Sequence, residues 1–197
     1  MTLPAITWLE AGAVVAGLVY VVLAAREQIS CWAFGILNAV LSILVFLHAR
    51  LYAESVLYLY YVFAGIYGWV SWKKNQAGAS QPLAIHTWPL TRHAPFLVLG
   101  AALSAALGWA LSEFTNAQFP YLDSHITIFS FLATYLVTRK VLSNWIYWIL
   151  IDAVSVGVYW LRDLRLYAIL MVIYTTIAVY GYLHWRNLHQ KQVQNPL

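Results

Sequence analysis

Five residues, Trp145, Trp148, Asp152, Ser155 and Tyr159, follow one another at spacings of 3, 4, 3 and 4. On a helix they form one narrow stripe. The stripe sets two indoles beside a carboxylate within an apolar stretch. Such a set can hold a flat cationic ring, the indoles by stacking and cation–π attraction and the carboxylate by its charge. Asp152 lies about two turns inside the stretch, too deep for easy snorkelling, and an ionised group there costs roughly 3 kcal/mol on insertion scales. The plain alternative is an Asp that only hydrogen-bonds a neighbouring helix. A second stripe, Glu54, Tyr58, Tyr61, Gly65 and Gly68, repeats the 4 and 3 spacing. Asn38 is a third polar group within an apolar run, either interhelical glue or a ligand contact. Asp123 shares a face with Thr127, Ser130 and Thr134 near a span end, where a structural or entry role fits best. His48, His86, His93, His184 and His189 fall at span ends or in loops, where no chemistry is expected of them.

The elements that must position these residues are helices in a membrane. The chain has 197 residues, 62% of them hydrophobic and only 9% charged, outside the range of soluble domains. Apolar stretches of helix-spanning length fall at about 8–25, 30–48, 51–72, 94–112, 121–138, 143–161 and 164–185. Only helix satisfies the backbone of such segments in lipid. The first run lacks a basic leader and a small-residue cleavage site, so it reads as a retained span. A single cysteine, Cys31, excludes an internal disulfide and a cysteine-based metal site, and no metal or cofactor is expected. The net charge of +4 reports topology rather than nucleic-acid binding.

The same three-helix pattern occurs twice. Trp8–Trp72 aligns without a gap on Tyr121–Trp185, an offset of 113 residues, with 15 of 65 positions identical. The matches include Arg26 with Arg139, Trp32 with Trp145, Ser42 with Ser155, Tyr67-Gly68 with Tyr180-Gly181, and Trp72 with Trp185. The organisation is therefore a first repeat at 1–72, a polar loop at 73–93, a connector helix at 94–112, a second repeat at 121–185 and a tail at 186–197. Such duplication is a recurrent way to build a transporter, with substrate held between the copies. Shared Gly positions suit close helix packing, and Trp72 and Trp185, beside Lys73 and Arg186, read as interfacial anchors. The copies differ in the stripe: Trp148 and Asp152 stand opposite Gly35 and Ala39, and Ile151 stands opposite Asn38.

Eight basic residues (Arg26, Lys73, Lys74, Arg92, Arg139, Lys140, Arg186, Lys191) lie on one side and three (Arg50, Arg162, Arg165) on the other. That bias puts the N-terminus outside and the C-terminus in the cytoplasm. Both copies then cross in the same direction, a parallel 3+1+3 duplication.

At Trp8-Leu-Glu-Ala-Gly, Leu51-Tyr-Ala, Ile66-Tyr-Gly-Trp, Thr138-Arg-Lys and Asn144-Trp-Ile-Tyr-Trp the chain resembles the PnuC family of vitamin transporters over essentially its whole length. The resemblance implies an all-α membrane fold of seven transmembrane helices similar to the SWEET sugar transporters, a homotrimer in the bacterial inner membrane, and one pocket per protomer. It implies facilitated diffusion of a vitamin that a cytoplasmic kinase traps by phosphorylation, with no enzymatic activity. It also implies that Trp145 and Trp148, as the W-x-x-W pair, help form the pocket. The expected candidates are Trp145, Trp148, Asp152, Asn38, Tyr58 and Tyr61, with Ser155 and Glu54 beside them. Where the family pattern W-x-x-W-x-x-x-N leads to expect Asn, this chain has Asp152. A carboxyl there favours thiamine, whose aminopyrimidine can pair with it. Nicotinamide riboside is the alternative ligand, and proton coupling through Asp152 the alternative mechanism. A retinal-type receptor lacks its lysine, since Lys73, Lys74, Lys140 and Lys191 all lie outside the spans. An intramembrane hydrolase lacks a nucleophile–base pair or a second facing carboxylate.

Overall fold

The computed structural model describes residues 3–74 and 83–194, so the middle of the 73–93 loop and the end of the tail lie outside the described residues. The described residues form seven helices: α1 (Leu3–Ala25), α2 (Cys31–His48), α3 (Tyr52–Lys74), α4 (Leu90–Phe114), α5 (Pro120–Thr138), α6 (Asn144–Leu161) and α7 (Arg165–Gln194). Five are long and apolar enough to cross a membrane on composition alone, α1, α2, α4, α6 and α7. The sequences of α3 and α5 are more polar, and the structure buries several of their hydroxyls. Ser55, Ser124, Ser130 and Thr134 are buried, each donating its hydroxyl to a carbonyl four residues back. A hydroxyl satisfied by its own helix costs little in lipid.

The duplication survives in the backbone. Adding 113 to the bounds of α2 gives those of α6, and the same shift carries the start of α3 to that of α7 and the end of α1 to that of α5. The turns match as well. Among the described residues, those other than glycine with positive φ are Glu27 (58°), Arg50 (61°), Lys140 (51°) and Asp163 (58°), which are two pairs at the repeat offset. Each follows a helix end closed by a bond from the next residue's N–H to the carbonyl five back: Gln28 to Leu23, Leu51 to Phe46, Val141 to Leu136, and Leu164 to Tyr159, at 2.8–3.0 Å. This is the Schellman closure, which glycine normally supplies at the left-handed position. Here charged residues occupy it and accept the strain.

The chain divides into two compact units. Unit 1 comprises Met1–Ile85 with Thr138–Lys140 and Leu183–Leu197. Within it α1 packs on α2 and α2 on α3, and Gly68 lies under the buried indole of Trp32, where a Cβ would collide with the ring. Unit 2 comprises His86–Val137 and Val141–Tyr182. It repeats the device, because a Cβ on Gly181 would come within 2.8 Å of the ring of Trp145. The expectation that these glycines permit close helix contact is met in both copies. The expectation of interfacial anchors at Trp72 and Trp185 is not. Both are fully buried, their ring centroids 6.1 Å apart, and Trp185 Nε1 donates to the carbonyl of Ala24 at 3.1 Å.

The polar stretch before α4 is partly pinned. Leu142 N–H donates to the His86 carbonyl at 2.9 Å, and in unit 1 the buried Ile85 has its carbonyl 2.7 Å from His189 Nδ1.

Two measurements of thermal unfolding in detergent test these contacts. Gly181→Ala overpacks the Trp145 site and should cost about 1–3 kcal/mol. Arg50→Gly relieves a left-handed side chain and should gain about 1 kcal/mol.

Candidate functional site

The α6 stripe belongs to unit 2, and its members differ in environment. Asp152 is 6% exposed and, among the described residues, accepts no hydrogen bond and forms no ion pair. Ser155, one turn on, is buried and donates its hydroxyl to the Ile151 carbonyl at 2.8 Å. Trp148 is half-buried. Trp145 is 2% exposed and lies on Gly181, a packing position that Trp32 reproduces in the first repeat. The ring of Tyr159 meets that of Tyr167 of α7 at a tilt of 36°, centroids 5.6 Å apart. Hence the stripe presents, from one end to the other, a packed indole, a half-open indole, an unpartnered buried carboxyl and a buried hydroxyl.

The candidates from the first repeat lie in unit 1. Asn38 Nδ2 donates to the Ala13 carbonyl at 2.7 Å, which ties α2 to α1. Tyr58 and Tyr61 meet edge to face at 5.4 Å, with Phe46 of α2 at 5.1 Å from Tyr58. Gly65 and Gly68 of the same stripe lie under Ile36 and Trp32, so this stripe is turned onto α2 within its own repeat. Glu54 is partly exposed near the start of α3.

The repeat comparison gives Trp148 a second meaning. Its counterpart, Gly35, is covered by the ring of Tyr20, and a Cβ there would lie 2.9 Å from that ring. The counterpart of Tyr20 is Ala133, fully buried on α5. A large residue on α1 over a small one on α2 is thus exchanged in the second repeat for a small residue on α5 and a large one on α6. The gap-free alignment contained that signal, since Tyr20 falls opposite Ala133.

Other polar groups were not legible. His93 is buried and bridges the start of α6, its Nδ1 3.1 Å from Tyr147 Oη and its Nε2 3.2 Å from Oγ of Ser143, the residue before that helix. Its place on the connector helix, which has no repeat counterpart, gave no pattern to compare. Asp123 pairs with Arg162 at 2.6 Å, a structural ion pair joining the start of α5 to the end of α6. A cavity of about 420 Å³ occupies a neighbouring face of α6, walled by Ile146, Leu150 and Val154 with Phe129, Leu97 and His93. It is apolar and is distinct from the stripe of Trp148 and Asp152.

An internally duplicated, seven-helix architecture with a polar stripe inside one span defines a multi-pass membrane protein built like a solute carrier. Residues 7–187 match the nicotinamide mononucleotide transporter family. The nicotinamide riboside transporter PnuC of Escherichia coli K12 is 29% identical over 206 residues, covering 92% of this chain and 86% of that protein. The nicotinamide riboside transporter PnuC of Neisseria mucosa is 27% identical over 194 residues, covering 92% and 73%. A solved structure described as the vitamin B3 transporter PnuC shares the fold with a TM-score of 0.74 at 23% identity, over 94% of this chain and 83% of that one. The chain belongs to the nicotinamide mononucleotide transporter family, the PnuC family of vitamin transporters.

A buried carboxyl without a partner costs stability. Asp152→Leu should therefore raise the unfolding temperature in detergent, by roughly 1–3 kcal/mol of stability, while abolishing ligand binding. An unchanged or lower unfolding temperature would show that Asp152 is structurally satisfied.

Proposed function

We propose that this protein carries nicotinamide riboside across the bacterial inner membrane by facilitated diffusion, with Trp148 and Asp152 as the central contacts. The observation that carries the reading is the buried, unpartnered Asp152 one turn from a half-open indole. A pyridinium ring offers both complements at once, a positive charge for the carboxylate and a flat face for the indole. The relatives named as nicotinamide riboside transporters support that ligand over thiamine. Ser155 and Trp145 of the same helix complete the proposed set, Trp145 by holding α6 against α7. The excess of basic residues on the Lys73 side supports an N-terminus outside and a cytoplasmic C-terminus. Uptake is then made directional by cytoplasmic phosphorylation, and the working assembly is a homotrimer.

One observation favours a second ligand. Asp152 stands where an amide was expected, and a carboxylate pairs well with the amino group of thiamine's pyrimidine while its thiazolium satisfies the charge. Passive transport also has an alternative, proton coupling through Asp152.

Titrating the purified protein with each vitamin while following Trp fluorescence separates the ligands. Saturable quenching by nicotinamide riboside, with at least tenfold weaker response to thiamine, is expected; the reverse order would overturn the reading. Uptake into liposomes at pH 6 and pH 8 separates the two mechanisms. A pH dependence that Asp152→Asn abolishes while binding persists would replace diffusion with proton coupling.

A further inference from the structure

The two pieces of the second repeat that belong to unit 1 enter it through one cluster of side chains. Lys140 Nζ lies 2.6 Å from Glu27 Oε1 and 4.7 Å from the centre of the Trp72 ring. Trp72 meets Trp185, and Trp185 donates to Ala24 in the last turn of α1. The neighbouring Arg139 reaches Tyr67 Oη at 3.1 Å. Glu27 with Lys140, and Trp72 with Trp185, are each the same position in the two repeats. Equivalent positions of a two-fold duplication meet each other only at the axis that relates the copies. At such a place an exact copy would set like charges or identical groups face to face. Glu27 and Lys140 have instead diverged to opposite sign, which turns a repulsion into an ion pair whose side chains are 20% and 11% exposed.

Both residues sit at left-handed turn positions that glycine would fill with less strain. Retaining charged side chains there puts strain into the turns, and only the charges use it. The other repeat pair at such positions, Arg50 and Asp163, contrasts with it: Arg50 is exposed, and Asp163 is 83% exposed and bonded to its neighbour Arg165.

We propose that the Glu27–Lys140 pair, backed by Trp72 and Trp185, is a latch that holds one end of the transport path shut. Opening that end separates the α1–α2 turn from the α5–α6 turn and breaks the ion pair and the Lys140–Trp72 contact together. The latch sets how often that end opens, and it leaves the ligand contacts on α6 untouched. The proposal rests on the transport reading above.

The test begins with a readout that needs no substrate. In a Cys31→Ser background, Ser155→Cys on the α6 stripe is labelled by a membrane-impermeant methanethiosulfonate from either side of reconstituted vesicles. A half-buried ion pair shifts an equilibrium by about fivefold, so Glu27→Gln should raise the labelling rate by about that factor from one side only. The exchanged pair, Glu27→Lys with Lys140→Glu, should return it to the parent rate. Unchanged labelling in Glu27→Gln, or no rescue by the exchange, would overturn the latch. In a second arm, Glu27→Cys with Lys140→Cys in the Cys31→Ser protein that keeps Ser155 is bridged by a short bifunctional methanethiosulfonate. Bridged protein should keep nicotinamide riboside quenching and lose at least tenfold of its uptake, with recovery on reduction. Full uptake by fully bridged protein would also overturn it. If nicotinamide riboside fails to quench the parent protein, the transport reading falls, while the labelling rates still decide the latch.

Discussion

The contact on which the rest depends is an indole laid over a glycine, made once in each repeat. Trp32 on Gly68 holds α2 to α3, and Trp145 on Gly181 holds α6 to α7. In a bilayer no hydrophobic gain drives helices together, so close packing over small residues must supply the attraction. The ring fixes the rotation of α2 and α6 about their axes, and therefore which face each shows to its neighbours. Once Trp145 points at Gly181, residues 148, 152 and 155 follow on the same side of α6. The buried carboxyl is thus placed by a packing contact seven residues before it on the same helix.

The turns impose a second constraint of similar reach. Because the helix bounds and left-handed turn residues recur at the repeat offset, the two copies differ in side chains far more than in backbone. Their chemistry is asymmetric on a scaffold that is not. One copy offers an amide, Asn38, committed to a backbone carbonyl. The other offers a carboxyl committed to nothing among the described residues.

Periodicity and hydropathy made most of the architecture legible. The spans read at 30–48 and 143–161 agree with α2 and α6 to within one residue, since apolar run and helix end together there. At α4 and α7 they part company: α7 runs on to Gln194, nine residues beyond Trp185, because hydropathy marks where lipid ends and not where a helix does. The indoles of Trp72 and Trp185 were misread for a related reason. A Trp beside a Lys or Arg at a span end looks the same in sequence whether it faces headgroups or its own repeat partner. His93 escaped notice because its partners, Ser143 and Tyr147, lie 50 and 54 residues away at the start of another helix. The α6 stripe was legible as a stripe, but the difference between Trp145, packed on a glycine, Trp148, half-buried, and Asp152, buried without a polar partner, needed coordinates.

The exchange of Tyr20 and Gly35 for Ala133 and Trp148 carries a consequence for how duplicated proteins diversify. A gene copied in tandem begins with two identical halves, which can recognise only what is itself symmetric. Moving a bulky side chain from one helix of a pair to the other keeps one large and one small residue at the two positions. It relocates a ring from the first helix of the motif to the second, where it travels with the residues that follow it on that helix. Two compensating substitutions are then enough to make the halves chemically distinct without disturbing the frame, and a lopsided molecule gains a fixed way round in which to be held.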